Sequence, residues 1–271
     1  MRAPRICCLN QKGGAGKSST VFHLAGHYAK IGFRVLLVDA DPQGSLSQGF
    51  FGSGLIESLE PQETLAAIFR EDFFVELRSL PVAAPIFDIS VIRANQHLAA
   101  FNAPTPENGG MIQFALNGLL DELDGYDIVL IDCPPNLYQC SWNAMLAADA
   151  VIIPVPPEDF DTQGLRVVHQ AIENARALNP RLQLLGHLVT RYDRRLLVHE
   201  TYHRKLRKLY GESVLRTVIP EASAFKVSLA CRKPVAQYSP RSDAAKLTGQ
   251  LADEISERLS KLTPTRKQGV A

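Results

Sequence analysis

The stretch that decides the fold is Arg5-Ile6-Cys7-Cys8-Leu9-Asn10-Gln11-Lys12-Gly13-Gly14-Ala15-Gly16-Lys17-Ser18-Ser19, near the start of a chain of 271 residues. Its first part, Arg5–Asn10, is an apolar run typical of a buried strand. Residues 18–31 are typical of a helix that ends at Gly32. A glycine-rich loop between a strand and a helix is the context in which a phosphate-binding loop is expected.

The glycines of this loop explain how it would hold an anion. Without Cβ atoms, the backbone can curl until successive N–H groups point into one concavity, and the helix adds its free N–H groups and positive dipole end. Lys17 is expected to reach the β- and γ-phosphates, and the Ser18 hydroxyl to ligate Mg²⁺. The predicted nucleotide site comprises the loop residues Lys12, Gly13, Gly14, Ala15, Gly16, Lys17, Ser18 and Ser19.

The composition is that of an ordinary globular protein, with 46% hydrophobic and 21% charged residues. We expect residues 1–271 to form a single α/β domain. The net charge is only +1, but residues 191–246 hold thirteen Lys and Arg against five Asp and Glu, a local net charge of +8. This asymmetry predicts a basic face in the C-terminal part of the chain.

The five cysteines are odd in number and form no CxxC pair, so we expect reduced thiols and a cytoplasmic location. Cys7 and Cys8 are adjacent on a strand and should therefore lie on opposite faces of the sheet. The N-terminus has no signal-peptide pattern and no apolar run approaches membrane-spanning length, so no membrane partner is expected.

Two later apolar runs end in acidic residues. Residues 34–44, RVLLVDADPQG, are typical of a strand covered on both faces and end in Asp39 and Asp41. Residues 126–135, YDIVLIDCPP, end in Asp132 as a Walker B strand does. Because ligands collect at the carboxyl ends of parallel strands, these carboxylates should lie near the phosphate loop, with Asp132 holding Mg²⁺ through a water.

The rest of the chain continues the alternation of strands and helices. This pattern predicts an α/β fold with a doubly wound, mostly parallel sheet. Further strands are expected at 87–92, 149–156, 182–190 and 214–219. Helices are expected at 64–80 with Thr64 as N-cap, and at 111–123, 161–178, 196–210 and 241–262, with a break at 81–85 and a loop at 102–110.

One sequence motif suggests a metal site and therefore a different function from nucleotide binding. His199-Glu200-Thr201-Tyr202-His203 matches HExxH, which on a helix gives the geometry of a zinc protease. No third ligand is evident downstream, and the surrounding Arg and Lys residues would repel a dication. We therefore expect these histidines to belong to a solvated basic helix.

Taken together, the motifs resemble one family. The box Lys12–Ser18 begins with an additional lysine and resembles the deviant Walker A sequence KGGxGK[ST] of the ParA/MinD ATPases. Other stretches resemble the ParA chromosome- and plasmid-partitioning ATPases: VLLVDADPQGS at 35–45, IVLIDCPP at 128–135, DAVIIPV at 149–155, LVTRYD at 188–193 and RTVIP at 216–220. The likeness is weakest over 55–110 and fits the short type, without an N-terminal helix-turn-helix.

The resemblance implies an ATP-driven switch of the P-loop NTPase class, in which two subunits sandwich two ATP molecules with Mg²⁺. Lys12 would reach across to the partner's phosphates, and Lys17 would be the Walker A lysine. Asp41 would position the attacking water. Ser18, Asp39 and Asp132 would lie around the metal, and Pro220 would contact the nucleotide. A lysine supplied in trans would make hydrolysis depend on dimerisation.

The resemblance also implies partners. The ATP-bound homodimer would bind double-stranded DNA without sequence preference, on the nucleoid, and a ParB-like protein would stimulate hydrolysis and release it. Phosphate contacts need only Lys and Arg on one face. Candidates from the basic segment are Arg194, Arg195, Arg204, Arg207, Arg216, Lys226, Arg232 and Arg241.

Alternatives stay open at this point. After Pro220 the family usually continues with an arginine and then a Ser-Glu-Ala segment, whereas this chain has Glu221–Ser228, EASAFKVS. This departure bears on the contacts to adenine and DNA. A MinD-like ATPase that positions a membrane or protein cargo is one alternative, although residues 262–271 are polar and contain a proline. A metabolic amidoligase or synthetase on the same fold is another.

Overall fold

The computed structural model describes residues 2–70, 76–86, 88–106, 109–157 and 162–262. The described strands form one sheet of eight. They are β1 (Arg5–Cys8), β2 (Val35–Asp39), β3 (Pro81–Ala83), β4 (Ile89–Ile92), β5 (Ile128–Asp132), β6 (Ala150–Val155), β7 (Gln183–Tyr192) and β8 (Val214–Pro220). Their order across the sheet is β3-β4-β2-β5-β1-β6-β7-β8, and only β3 runs antiparallel to its neighbour.

Helices lie against both faces of this sheet. The described α-helices are α1 (Lys17–Lys30), α2 (Ser45–Phe51), α3 (Ser53–Glu57), α4 (Ala115–Glu122), α5 (Gln139–Ala147), α6 (Thr162–Arg176), α7 (Leu197–Tyr210), α8 (Ser223–Ala230), α9 (Val235–Tyr238) and α10 (Asp243–Leu262). Cys7 packs in one apolar core with α4, α5 and α6, and Cys8 packs in a second core with α1 and α10. The doubly wound fold and the opposite orientation of the two thiols are both confirmed.

The strand order shows where on the sheet a ligand-binding crevice is expected. From β1 the chain moves first to one side of the sheet and later to the other, so β1 is flanked by β5 and β6. Such a point of reversal leaves a crevice at the carboxyl ends of the strands. The loops after β1, β2, β5 and β7 all leave from this edge, because these strands are mutually parallel.

Residues 45–125 differ most from the sequence-based expectation. The helix predicted at 64–80 is wrong, because the described part of this range forms short 3₁₀ turns at Leu65–Phe69 and Leu77–Ser79. Thr64 does cap the first turn by accepting the Ala66 N–H, but Arg70 is extended and ends it. The predicted break at 81–85 contains β3, and the helix predicted at 111–123 starts as the 3₁₀ turn Gly110–Phe114. Sequence reasoning did not predict α2, α3, α5, α8 or α9.

The sheet edge formed by β8 is covered by α10. Glu254 on α10 is 3% exposed, and its carboxylate accepts hydrogen bonds from the backbone N–H groups of Arg216 and Thr217. It also accepts from the Thr217 hydroxyl and from Arg258. A helix side chain therefore satisfies backbone donors that an open edge strand would present to another chain.

Candidate nucleotide-binding site

The glycine-rich loop between β1 and α1 has the curled backbone that its sequence predicts. Gly14 has a φ of 72° and Gly16 a φ of 89°, both in the left-handed region that favours glycine. A Cβ built on Gly13 meets no atom within 4 Å, so the backbone there faces open space. Gly16 is the N-cap of α1, and no side chain caps that helix end. The loop and the helix start therefore offer N–H groups to an anion.

Two polar residues outside the motif hold the loop in place. The Asn10 side chain donates to the Pro154 carbonyl oxygen at 2.6 Å and accepts the Lys12 N–H at 3.0 Å. The Thr190 hydroxyl donates to the Ala15 carbonyl oxygen at 2.8 Å. Sequence reasoning assigned neither residue to the site, although both stand where a strand of the parallel sheet ends, β1 in one case and β7 in the other.

The two lysines of the loop differ in their surroundings. Lys17 is 6% exposed, and its Nζ donates to the Lys12 carbonyl oxygen at 3.3 Å. The Lys12 side chain is only half-buried. A buried ammonium inside the loop is placed for a bound anion, whereas the more exposed lysine can reach outward.

The three predicted carboxylates come together at the ends of β2 and β5, where Asp39 and Asp132 are register partners. Asp39 accepts hydrogen bonds from the Asp41 N–H and from the N–H and hydroxyl of Ser47. Asp41 accepts the Gln43 N–H. Neither carboxylate oxygen of Asp132 receives a hydrogen bond of normal geometry from the described residues, although both are buried.

Burial and mutual repulsion govern the ionisation of these carboxylates. Burial raises the pKa of Asp39 to about 7, against the hydrogen bonds from Ser47. Burial also raises the pKa of Asp132 well above its usual range, the charge of Asp39 adds to this, and the neighbouring Ser18 and Lys17 act against it. Burial likewise raises the pKa of Asp41. A divalent cation beside Asp132 would favour the ionised carboxylate and would coordinate its two oxygens, which accept no hydrogen bond from the described residues.

A cavity of about 480 Å³ lies over the loop. One part, which we call the phosphate half, is lined by residues 13–19 and Asp41. The other part, which we call the apolar half, is lined by Ile219, Pro220, Phe225, Leu229 and Leu251. The predicted nucleotide contact Pro220 thus lines the same cavity as the loop, whereas Asp39 and Asp132 are fully buried.

The basic residues predicted to contact DNA have varied surroundings. Five of the eight have polar partners on the chain itself: Arg195 pairs with Asp193, Arg204 with Glu200, Arg207 with His203, Arg216 with Glu254 and Glu257, and Lys226 with Glu221. Lys226 also lines the nucleotide cavity. Arg194, Arg232 and Arg241 are exposed and form no ion pair with the described residues. These three have donors most available for phosphate oxygens.

The histidines of the HExxH motif are not a solvated pair. His199 is 5% exposed and its Nδ1 accepts the Asp193 N–H, so the expectation of a solvated position is wrong for this residue. His203 Nε2 accepts from Arg207. In the described part of the chain, neither histidine belongs to a group of three or more His, Cys, Asp or Glu side chains that could hold a metal ion. The bond from the Asp193 N–H and a contact with the Tyr192 ring hold His199 in its inward position.

A glycine-rich loop that opens a helix, a buried lysine within it and an adjacent carboxylate with bare oxygens define a nucleotide site of the P-loop NTPase class. A family model described as "AAA domain" matches residues 3–184. The chain is 37% identical over 259 residues to the chromosome-partitioning ATPase Soj of Thermus thermophilus, covering 94% of this chain and 96% of that protein. It is 34% identical over 257 residues to the chromosome partitioning protein ParA of Caulobacter vibrioides, covering 93% of this chain and 94% of that protein.

A solved structure described as cobyrinic acid a,c-diamide synthase from Mycobacterium smegmatis with bound ADP and magnesium is similar too. It is 27% identical, has a TM-score of 0.77, and the match covers 95% of this chain and 96% of that one. The chain belongs to the Soj/ParA family of chromosome-partitioning ATPases. In the described residues, no helix is both long and apolar enough to cross a membrane.

Proposed function

We propose that this ATPase is a dimerisation switch for DNA segregation or cargo positioning. Its reaction is the Mg²⁺-dependent hydrolysis of ATP to ADP and phosphate. In the proposed cycle, the ATP-bound homodimer binds double-stranded DNA without sequence preference and so works at the nucleoid. A ParB-like protein stimulates hydrolysis, after which the subunits separate and leave the DNA.

The observation that carries this proposal is that the Asp132 carboxylate is buried and accepts no hydrogen bond from the described residues. Both of its oxygens are buried without a hydrogen bond, beside Ser18 at the start of α1. A buried carboxylate in this condition is costly unless a ligand completes it. Carboxylate and hydroxyl oxygens are ligands that Mg²⁺ prefers, and the phosphates of ATP would lie next to them on the loop. The donor set therefore fits Mg²⁺ with a nucleoside triphosphate.

Three residues of the site have separate roles in this proposal. Lys17 holds a positive charge inside the loop, where the β- and γ-phosphates would lie. Asp41 lines the cavity and orients the attacking water, since burial and its bond from Gln43 fix the carboxylate. Lys12 is the more exposed lysine and reaches the partner subunit's phosphates. When bound, Mg²⁺ neutralises charge on the phosphate oxygens, and the chain supplies position and orientation.

The DNA step rests on the uneven charge of the chain. Residues 191–246 carry a local net charge of +8. Arg194, Arg232 and Arg241 lie in this segment, are exposed and have no described carboxylate partner. Contacts to phosphates release counterions, so binding of this kind falls steeply with salt. Binding without sequence preference needs no side chain that reads bases.

The test is binding of the purified protein to random-sequence duplex DNA without nucleotide, with ADP and with ATP–Mg²⁺, at two salt concentrations. We expect binding only with ATP–Mg²⁺, weaker at high salt, lost in Lys17→Ala and kept or strengthened in Asp41→Ala. The Asp41→Ala variant is the informative control, because it separates binding from hydrolysis. Absence of DNA binding in every nucleotide state would overturn the DNA-dependent switch.

A second candidate is an ATP-dependent synthetase on the same fold. The observation in its favour is the likeness to the structure described as cobyrinic acid a,c-diamide synthase. The likeness to Soj and ParA is higher in identity at similar coverage, which favours the partition role. Formation of an amide product from a carboxylic acid and an amine donor, with no effect of DNA on the ATPase rate, would favour the synthetase.

A further inference from the structure

Three consecutive apolar side chains are exposed where the chain passes from β7 to α7. Leu196 is 45% exposed, Leu197 73% and Val198 48%, and we call these three residues the apolar tip. Leu196 is the N-cap of α7 and Leu197 is its first residue. Successive helical residues point about 100° apart, so these side chains spread around the helix end instead of forming one flat face. The result is a protrusion, and a run of exposed apolar residues is typical of a binding site.

Polar contacts hold the loop that carries the apolar tip. The Asp193 N–H donates to Nδ1 of the buried His199 at 2.9 Å, which ties the start of the loop to α7. The Asp193 carboxylate accepts the Arg195 N–H at 2.9 Å and a guanidinium N–H of Arg195 at 2.7 Å. The Leu196 N–H donates to the Asp193 carbonyl oxygen at 3.2 Å. The apolar side chains are therefore held in position before a partner binds, which lowers the entropy cost of binding.

Positive charge surrounds the apolar tip. Arg194 is exposed and pairs with no carboxylate of the described residues. The Arg195 side chain is 88% exposed although it pairs with Asp193. No described side chain caps the start of α7, so its first N–H groups are available to an anion. An apolar protrusion beside arginines and an uncapped helix start is complementary to duplex DNA, whose grooves lie between two rows of phosphates.

The minor groove is the part of the duplex that the apolar tip fits. This groove is about 6 Å wide, so it admits side chains at a helix end but not the side of a helix. Leucine and valine side chains have no hydrogen-bond donor or acceptor and therefore cannot read base edges by hydrogen bonding. Apolar side chains that insert between base steps from this groove unstack the bases and bend the DNA. Such a contact agrees with binding that has no sequence preference.

We propose that the apolar tip enters the minor groove of bound duplex DNA, where Leu197 partly unstacks one base step and Arg194 and the start of α7 contact the flanking phosphates. Leu197 is assigned the insertion because it is the most exposed of the three residues. This inference rests on the proposed function, because it takes double-stranded DNA to be the partner. It adds the mode of binding, in which the DNA is bent at the point of contact.

The test measures the affinity and the bending of a random-sequence duplex in the presence of ATP–Mg²⁺. Fluorescence anisotropy gives the affinity over a range of salt concentrations, and energy transfer between dyes at the two DNA ends reports the bend. We expect Leu197→Ala to weaken binding about five- to tenfold and to reduce the bend. The slope of log affinity against log salt should not change, because no phosphate contact is lost. Arg194→Ala should instead lower that slope by about one for each subunit that contacts the DNA.

A duplex with one mismatched base pair at its centre gives a second measurement. A mismatch is easier to unstack, so the wild type should bind this duplex about threefold more tightly than the matched one, and Leu197→Ala should bind both equally. Leu197→Met keeps an apolar side chain of similar size and should behave as the wild type does. Leu209→Ala is the matched control, because Leu209 is 59% exposed at the other end of α7. Its DNA binding should equal that of the wild type.

Three results would contradict the insertion. If Leu197→Ala bound and bent both duplexes as the wild type does, the insertion would be wrong, while the DNA-dependent switch would be unaffected. If Leu197→Ala bound DNA normally but lost stimulation by a ParB-like protein, the apolar tip would belong to a protein interface, and the insertion would again be wrong. Absence of DNA binding by the wild type in every nucleotide state would overturn this inference and the proposed function together.

Discussion

Asp39 and Asp132 are register partners on adjacent parallel strands, yet the Asp39 carboxylate accepts three hydrogen bonds and the Asp132 carboxylate accepts none from the described residues. Both are fully buried. The bonds to Asp39 fix the loop that carries Asp41 and the start of α2 at Ser47. Asp39 therefore holds the local backbone in place. Both oxygens of Asp132, by contrast, remain able to coordinate a ligand.

This difference predicts opposite effects of the same substitution. Asp132→Asn removes a buried charge without breaking a hydrogen bond. We therefore expect the free energy of unfolding in urea, measured without Mg²⁺ and nucleotide, to stay equal or to rise by on the order of 1 kcal/mol. Asp39→Asn loses acceptors for buried donors and should destabilise by about 1–3 kcal/mol. Asp132→Asn should nevertheless lower the Mg²⁺-dependent ATPase rate by at least about 100-fold.

The pH dependence of stability offers an independent check on Asp132. Its pKa is raised in the folded state, so the proton is held more tightly there than in the unfolded chain. Its contribution to stability is full below the unfolded pKa of about 3.9 and is lost as pH rises towards the folded pKa. As pH rises above the unfolded pKa and towards the folded pKa, the wild type should lose up to roughly 1.4 kcal/mol per pH unit relative to Asp132→Asn. Parallel pH profiles for the two proteins would contradict this.

Thr190 offers a second prediction, because it fastens the phosphate loop to β7. Thr190→Val keeps the shape of the side chain but removes the donor to the Ala15 carbonyl oxygen, and Thr190 is 2% exposed. We expect a loss of about 1–2 kcal/mol in the free energy of unfolding and a roughly threefold weaker affinity for ATP. Thr190→Ser keeps the hydroxyl and is the control. Equal ATP affinities in the Thr190→Val and Thr190→Ser variants would show that the hydrogen bond from Thr190 does not determine the conformation of the phosphate loop.

Much of this site could be predicted from the sequence because its signals are local. The glycines from Gly13 to Gly16, Lys17 and the carboxylates at strand ends are recognisable from short-range spacing alone. Apolar runs such as Leu36–Val38 also predict covered parallel strands without knowledge of their neighbours. The meeting of Asp39 with Asp132 follows from the rule that ligands collect at carboxyl strand ends. The order of the strands was not predicted from the sequence.

The rest could not be predicted, for physical reasons that concern long-range contacts. Thr190 and Ala15 are 175 residues apart in sequence, and Arg191 and Gly14 are 177 apart, so no local pattern links them. The burial of His199 depends on the packing of α7, which its basic neighbours do not reveal. The range predicted as a helix at 64–80 contains short 3₁₀ turns instead, because contacts with the rest of the domain override its weak helical propensity.

The two loop lysines give a third prediction. Lys17→Ala removes the buried ammonium that bonds to the loop carbonyl of Lys12, and we expect ATP affinity to fall by about 100-fold or more. Lys12→Ala leaves the loop interior unchanged, so ATP affinity should fall by no more than about threefold. Because Lys12 is proposed to act on the partner's phosphates, this variant should lose ATP-dependent dimers in analytical ultracentrifugation. Equal loss of ATP affinity in both variants would contradict separate roles.

The edge of the sheet gives the last prediction. Burial raises the pKa of Glu254, but the hydrogen bonds from Arg216, Thr217 and Arg258 outweigh burial, so the pKa is lowered. Its contribution to stability is present above the unfolded pKa of about 4.3 and is lost as pH falls through the folded pKa. Glu254→Ala leaves two backbone N–H groups of β8 without an acceptor and opens the edge strand. We expect it to cost about 2–4 kcal/mol near pH 7 and to increase aggregation on heating.

Glu257, one turn further along α10, supplies the matched control. It is also an acidic residue that pairs with Arg216, but its side chain is 42% exposed and accepts no backbone N–H from β8. Pairs of this kind contribute little in water, so Glu257→Ala should leave the free energy of unfolding close to that of the wild type. Urea unfolding of both variants at pH 7 decides the matter. If they lost equal stability, the ion pair with Arg216 would account for the effect, and backbone capping of the edge strand would not.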